Sequence, residues 1–374
     1  MFAGVALIAT CYGFARFAYG LFAPRLSAEF ALSAGLSGVI GGGGYVGYCL
    51  AIGVSTVLTG RWGPRRVAVL AGAVATMGIT VVALAPSAPV LAVGVIVAGS
   101  STGLASPPLA AAVAQWVDAG VRDTAQTVVN AGTGVGVLVS GPVALILLDE
   151  WRLAWGLFAV VTAAVTVWVA AVVPAGGRAG PREGGNGRPP GWTGGTAALA
   201  LASFAMGLSS IAVWTFGQDL VSTSSRAGWL APVVWTVIGA AGIAGAFSGP
   251  VVARLGLRTS WTLLMLMLAA GIVGLAAGAG VPVAAVAAGA VFGAAYIALT
   301  GVVLVWATRT YCARPAFGVG MAFFMIAAGQ AVGAPLAGLG SDAFALPAVF
   351  YACALVALAG AWIPAPKPGP STSR

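Results

Sequence analysis

Two short segments, one in each half of the chain, share the pattern R-x-G-x-R. They are Arg61-Trp62-Gly63-Pro64-Arg65 and, 193 residues further on, Arg254-Leu255-Gly256-Leu257-Arg258. One such match would carry little weight by itself. Both segments, however, lie between apolar stretches of helical length, and these stretches recur along the whole chain at the same offset. The second half of the sequence therefore repeats the plan of the first.

The apolar stretches number twelve when the chain is divided at its polar, proline and glycine breaks. They lie at about 2–24, 34–58, 67–85, 90–113, 124–148, 153–174, 193–217, 228–252, 260–279, 283–307, 316–340 and 344–363. The predicted domains are an N-terminal six-helix bundle (1–174), a cytoplasmic linker (175–192), a C-terminal six-helix bundle (193–363) and a cytoplasmic tail (364–374). A parallel repeat of six spans is typical of transporters that rock two halves around a midplane site.

The composition predicts an all-α integral membrane protein. Hydrophobic residues make up 60% of the chain and charged residues only 7%, against about 25% charged in an average soluble domain. Lipid offers the backbone no hydrogen bonds, so spans must be helices or a closed barrel. The stretches have the roughly 20 residues that a spanning helix needs, without the alternation of barrel strands. We expect twelve transmembrane helices in a lipid bilayer.

The basic residues are distributed unevenly among the predicted loops. With the N-terminus in the cytoplasm, 13 of the 17 Lys and Arg residues fall in cytoplasmic segments, whereas the outer loops hold Arg25, Arg152 and Arg226. This positive-inside bias predicts a multi-pass protein of the cell membrane with both termini in the cytoplasm. The net charge of +9 does not indicate nucleic acid, because the basic residues form no cluster.

The loop after the second span resembles a loop of the major facilitator superfamily. Residues 56–66 are similar to its pattern G-x-x-x-D-R-x-G-R-[KR], with Thr56, Gly60 and Pro64 as departures, and Ala253 replaces the Asp in the second copy. Trp151-Arg152 also resembles a frequent feature of that superfamily. Segments 13–19 and 329–335 resemble its YbfB/YjiJ branch of permeases. The resemblance implies two bundles around a central cavity that spans one, four, seven and ten mainly line.

The same resemblance suggests which residues gate the transport cycle. They are Arg61, Gly63, Arg65, Arg66, Arg254, Gly256 and Arg258. One interpretation is that the arginines only set the topology. The other is that they clasp helix ends across the bundle interface in the outward-facing state. In the superfamily that clasp uses the Asp, whose place Gly60 and Ala253 take here.

Arg16 is the one clearly intramembrane charge that the sequence predicts. An arginine there costs roughly 2.5–3.5 kcal/mol on insertion scales, so it usually faces a cavity or a partner. Its planar guanidinium could pair with an anionic group of a solute. Alternatively, it could cap backbone carbonyls or hold spans one and five together. No Asp or Glu is predicted inside a span, and the equivalent position in the second half is Ser209.

Other polar and aromatic residues in the predicted spans are candidates for the same cavity. Together with Arg16, the predicted substrate-binding residues are Tyr19, Gln126, Asn130, Ser209, Trp214, Tyr296 and Gln330. Ser and Thr in membrane helices most often bond their own backbone, and aromatic rings often face lipid or pack between helices. If several rings face inward, the site suits an organic solute.

The sequence offers little for catalysis or cofactors. It contains no histidine, and its four cysteines form no C-x-x-C pair, so we predict no metal, no cofactor and no enzymatic activity. The favoured function is secondary transport, by a monomer, of a small organic solute with an anionic or hydrogen-bond-accepting group. The alternatives are a membrane-embedded enzyme or a non-transporting receptor on a transporter fold.

Overall fold

The computed structural model describes residues 1–174, 195–312 and 315–365, and this part of the chain forms twelve helical spans. They are α1 (Phe2–Phe30), α2 (Ala34–Trp62), α3 (Pro64–Ala83), α4 (Ala88–Trp116), α5 (Arg122–Leu147), α6 (Trp151–Val172), α7 (Thr196–Ser224), α8 (230–255), α9 (Leu257–Gly278), α10 (Pro282–Thr310), α11 (Pro315–Ala343) and α12 (Leu346–Ala361). Ten of these described helices are long and apolar enough to cross a membrane. The predicted all-α fold of twelve spans is confirmed.

Two of the twelve spans are not uniform α-helices. In α1 a π-helix, Ala9–Phe17, separates two α-helical segments. In α8 a 3-10 turn, Ala244–Phe247, joins Leu230–Ile243 to Ser248–Leu255. Short π segments inside α-helices occur frequently at functional sites. The π-helix of α1 includes Arg16.

The parallel repeat is visible in the backbone at the two glycines of the R-x-G-x-R segments. Gly63 has φ 81° and ψ 162°, and Gly256 has φ 80° and ψ 158°. This region of backbone space is essentially restricted to glycine. Each glycine separates two helices, so that α3 begins at Pro64 and α9 at Leu257. The same glycine turn thus recurs at the offset of 193 residues that the sequence predicts.

The structure corrects several predicted boundaries. The helix α1 extends to Phe30 and α7 to Ser224, beyond the predicted ends of 24 and 217. Consequently Glu29 and Asp219 lie inside helices, in the last two turns of α1 and α7. The predicted linker and nearly all of the predicted tail lie outside the described residues.

The N-terminal bundle is held together near the end of α1 by Glu29. Its carboxylate accepts hydrogen bonds from the indole of Trp151 and, at 2.6 Å, from Arg152, which also donates to the carbonyl of Ala85 at 3.0 Å. These contacts join α1, α6 and the residues after α3. The Trp151-Arg152 pair therefore has a structural role in this chain.

The two bundles are in close contact at the end where α1 finishes and α2 begins, which we call the distal end. There α2 packs on α11. A Cβ on Gly38 would overlap the carbonyl of Ala334, and one on Gly338 would overlap that of Ala34. Glycines thus let the backbones approach closely, as small residues do between membrane helices. The distal end is closed in this structure.

Candidate substrate site

Arg16 lies at the interface between the two bundles and is 8% exposed. Its Nη2 donates a hydrogen bond to Oε1 of Gln330, and Nε2 of Gln330 donates to the hydroxyl of Tyr296 at 3.2 Å. Arg16 belongs to α1, whereas Gln330 belongs to α11 and Tyr296 to α10. This chain of contacts therefore joins the N-terminal bundle to the C-terminal bundle.

Four aromatic rings surround the guanidinium of Arg16, and we call them the aromatic cage. The distances from its Cζ to the ring centroids are 5.3 Å for Tyr12, 4.7 Å for Phe17, 4.8 Å for Tyr45 and 4.9 Å for Tyr48. A cation over an aromatic face gains about 0.5–2 kcal/mol, more when desolvated. The cage therefore offsets part of the cost of burying this charge without supplying a counter-ion.

No carboxylate pairs with Arg16 in the described part of the chain. The two ion pairs found there are Arg25 with Asp149 at 3.5 Å and Arg152 with Glu29 at 2.6 Å. In addition, Nε of Arg16 is buried without a hydrogen-bond partner. Arg16 is thus a buried cation that retains an unused donor.

Arg16 lines two narrow cavities, one on each side of it. The distal cavity, of about 10 Å³, is also lined by Tyr19, Gly41, Tyr45, Trp214 and Thr215. The proximal cavity, of about 20 Å³, is also lined by Tyr12, Tyr48, Asn130, Thr133, Tyr296 and Thr300. Both therefore combine aromatic surface with hydroxyl or amide groups. Such walls suit an organic solute that carries hydrogen-bonding groups. In this conformation each cavity has room for about one water molecule, so an organic solute would enter only after the helices around it separate.

Hydroxyl groups near Arg16 are already ordered by hydrogen bonds. The Tyr12 hydroxyl pairs with Ser106 Oγ at 2.7 Å and with the Tyr48 hydroxyl at 3.3 Å. The Tyr19 hydroxyl donates to the backbone carbonyl of Ser37 at 3.0 Å. These bonds fix the rings of α1 and α2, so the polar groups of both cavities are held in position.

Stacked aromatic rings close the distal side of the site. Phe17 of α1 stacks on Trp214 of α7 with ring centroids 4.0 Å apart. The Trp214 ring also meets Tyr296 at 5.1 Å and Trp235 at 5.6 Å. A Cβ on Gly20 would overlap the carbonyl oxygen of Trp214. The bundles are therefore in direct contact between the cavities and the distal surface.

A family model described as Major Facilitator Superfamily matches residues 5–196. The chain belongs to the major facilitator superfamily. This match leaves the YbfB/YjiJ branch a prediction. No curated protein matches the sequence significantly.

Solved structures agree with the superfamily fold. A mutant of the nucleoside transporter NupG superposes with a TM-score of 0.76 at 12% sequence identity, covering 96% of both chains. Another crystal structure of NupG gives a TM-score of 0.70 at 14% identity, covering 96% of this chain and 95% of NupG. At such low identity the likeness establishes the fold alone. The chain is thus a multi-pass membrane protein with the major facilitator fold.

The structure brings most of the predicted substrate-binding residues together. Arg16, Tyr19 and Trp214 line the distal cavity, Asn130 and Tyr296 line the proximal cavity with Arg16, and Gln330 contacts Arg16 directly. The alternative that Arg16 holds spans one and five together is not what the contact shows, because its partner lies on α11.

Two predicted residues lie apart from the cavities. Ser209 is fully buried, and its hydroxyl donates to the backbone carbonyl of Met206 at 3.2 Å, as membrane-helix serines commonly do. Gln126 is half-buried and lines neither cavity. Neither residue is part of the site in this conformation.

Tyr12, Tyr45 and Tyr48 were missed by the sequence analysis. Tyr12 precedes Arg16 by four residues, and Tyr45 and Tyr48 are three apart, so each pair lies on one helix face. Tyrosine is also rare here, and five of the seven contact Arg16 or line its cavities: Tyr12, Tyr19, Tyr45, Tyr48 and Tyr296. This clustering around one intramembrane cation was the available signal.

The predicted gating residues lie at the end of the molecule opposite the distal contacts. Arg61, Arg66, Arg254 and Arg258 are exposed. Arg65 donates to the backbone carbonyl of Ala170, which belongs to α6 of the same bundle. The clasp across the interface was predicted for the outward-facing state, so for this distally closed conformation it stays a prediction.

Proposed function

We propose that this chain is a secondary transporter that moves a small organic anion across the cell membrane by alternating access. The observation that carries the proposal is Arg16. It is a buried cation on the wall of two cavities at the bundle interface, with no carboxylate partner in the described residues.

The reasoning is electrostatic. Charges interact far more strongly in a low-dielectric cavity than in water. A solute carboxylate would therefore supply the negative charge beside Arg16 that no carboxylate of the described residues supplies. The guanidinium also offers a planar fork that matches a carboxylate. The aromatic cage and the hydroxyls of Tyr296 and Thr300 would receive the rest of an amphipathic solute.

The distally closed conformation supports alternating access. In the predicted orientation the distal end faces outward, so this conformation is closed toward the outside. The cycle would then require separation of α1 from α7 and of α2 from α11. The anionic substrate and the monomeric state are both part of this proposal.

Flux through purified protein in liposomes tests this function. The panel should contain labelled pyruvate, benzoate and mandelate, their neutral amides, and uridine because NupG is a nucleoside transporter. We expect saturable uptake of at least one carboxylate that protein-free liposomes lack. Uptake of uridine or amides alone would contradict an anionic substrate. Chemically altered solute would indicate an enzyme, and binding without flux would indicate a receptor.

A further inference from the structure

In the hydrogen bond between Arg16 and Gln330, only Arg16 can be the donor and only Gln330 the acceptor. Arginine donates hydrogen bonds and never accepts them, so the amide oxygen of Gln330 must face Arg16. Its amide nitrogen must then face Tyr296, 3.2 Å away. The Tyr296 hydroxyl therefore accepts this bond and keeps its own hydrogen for another acceptor. Tyr296 lines the proximal cavity beside Arg16.

We propose that Gln330 is an internal stand-in for the anionic oxygen of the solute. Its neutral amide oxygen accepts a hydrogen bond from Arg16, and an arriving carboxylate would replace that oxygen. The inference rests on the proposed function and adds to it a residue that determines specificity and a step that links binding to movement.

A carboxylate is the stronger partner for the guanidinium. Bonds in which both donor and acceptor are charged are stronger, and arginine can hold a carboxylate with two parallel bonds. Gln330 offers one uncharged oxygen, and Nε of Arg16 has no partner at all. The free Nε–H of Arg16 is thus a further donor for an incoming oxyanion.

The exchange would change the interface between the bundles. The bond from Arg16 to Gln330 joins α1 to α11, so its replacement by a solute oxygen removes a direct link between the two halves. A solute that cannot compete with an amide for arginine would leave this link intact. Carboxylates would therefore be favoured over their neutral amides, and their binding would release α11 from α1.

Two substitutions of similar length test the stand-in. Gln330→Glu gives Arg16 a permanent carboxylate, so the thermal stabilisation of purified protein by pyruvate, benzoate or mandelate should disappear. Gln330→Met removes the competing oxygen, so the strongest of these carboxylates should bind about tenfold more tightly. Gln115→Glu is the matched control, because Gln115 is half-buried near the end of α4 and lines neither cavity.

A second measurement needs no solute. Spin labels at Val90 on α4 and Val283 on α10 report the separation of the bundles at the distal end, where both side chains are exposed. Gln330→Glu should narrow this distance distribution toward its short component, because it strengthens the link between α1 and α11. Gln115→Glu should leave the distribution unchanged.

The outcomes separate this inference from the proposed function. If neither Gln330 substitution changes carboxylate uptake or thermal stabilisation by carboxylates, the proposed function remains supported and the role of Gln330 as a stand-in is refuted. Absence of stabilisation by all three carboxylates in the wild type would also overturn it. Loss of folding in both Gln330 variants would show that the residue is structural. Liposomes that take up no member of the panel would refute the proposed function itself.

Discussion

The carboxylate of Asp342, in the last turn of α11, accepts a 2.7 Å hydrogen bond from the backbone N–H of Gly35 in the first turn of α2. It also accepts one from the N–H of Ala34 at 3.0 Å. The positive end of the α2 dipole and two otherwise unpaired N–H groups thus meet an anion from the other bundle. This contact closes the distal surface and must break when that side opens.

Asp342→Asn should favour the distally open state. It retains the side-chain shape but loses the charge, and an exposed charge at a helix N-terminus contributes only modestly, so we expect a roughly two- to fivefold population change. The distance between spin labels at Val90 and Val283 measures it. Asp149→Asn is the control, since Asp149 pairs with Arg25 within one bundle. An equal effect of both substitutions would show that the Asp342 contact is not specific.

Arg16→Lys and Arg16→Ala should affect transport to different extents. Lysine keeps the charge but loses the planar fork, so anion uptake should weaken without vanishing. Alanine removes the charge, and uptake of the anion should be abolished in proteoliposomes. Normal uptake by Arg16→Ala would contradict a role for Arg16 in recognition.

The contact with Gln330 alters what Arg16→Ala should do to stability. From the sequence alone, the melting temperature is expected to stay near that of the wild type. In the structure, the variant leaves the buried Gln330 amide oxygen without its donor, which typically costs about 1–3 kcal/mol. We therefore expect a lower melting temperature but a folded protein, as judged by size-exclusion chromatography. A protein that no longer folds would make Arg16 structural.

Gly256→Ala should destabilise the protein through its backbone alone. A Cβ at this position would meet no atom within 4 Å, but φ is 80°, and such a conformation costs a non-glycine residue about 1–3 kcal/mol. Gly60→Ala is the matched control, because a Cβ there is equally free and Gly60 lies inside α2. Thermal unfolding should show a lower melting temperature for Gly256→Ala and an unchanged melting temperature for Gly60→Ala.

Accessibility of single cysteines tests the orientation. Gly120 lies between α4 and α5, and Gly228 lies between α7 and α8 at the distal end; both are exposed, and a Cβ on either would contact nothing. In a cysteine-free background, Gly228→Cys should react with an impermeant maleimide added to intact cells. Gly120→Cys should react only after the cells are opened. The reverse pattern would invert the predicted topology.

The sequence by itself determined the class of protein, the number of spans and the repeat. These follow from local properties of the chain. The length of each apolar stretch matches the thickness of the bilayer, and the turn that only glycine can adopt is present in both copies of the repeat, at Gly63 and Gly256. The intramembrane position of Arg16 could also be predicted, because the length of the apolar stretch around it places it inside a span.

Only the tertiary structure decided which residues meet Arg16. Gln330 lies 314 positions away in the chain, and no periodicity within α1 or α11 specifies which faces of these two helices are opposed. The aromatic cage likewise combines α1 with α2, and the Asp342 contact depends on how far the two bundles have rotated together. Such contacts depend on packing between bundles, which is set by the summed surfaces of many helices rather than by any one segment.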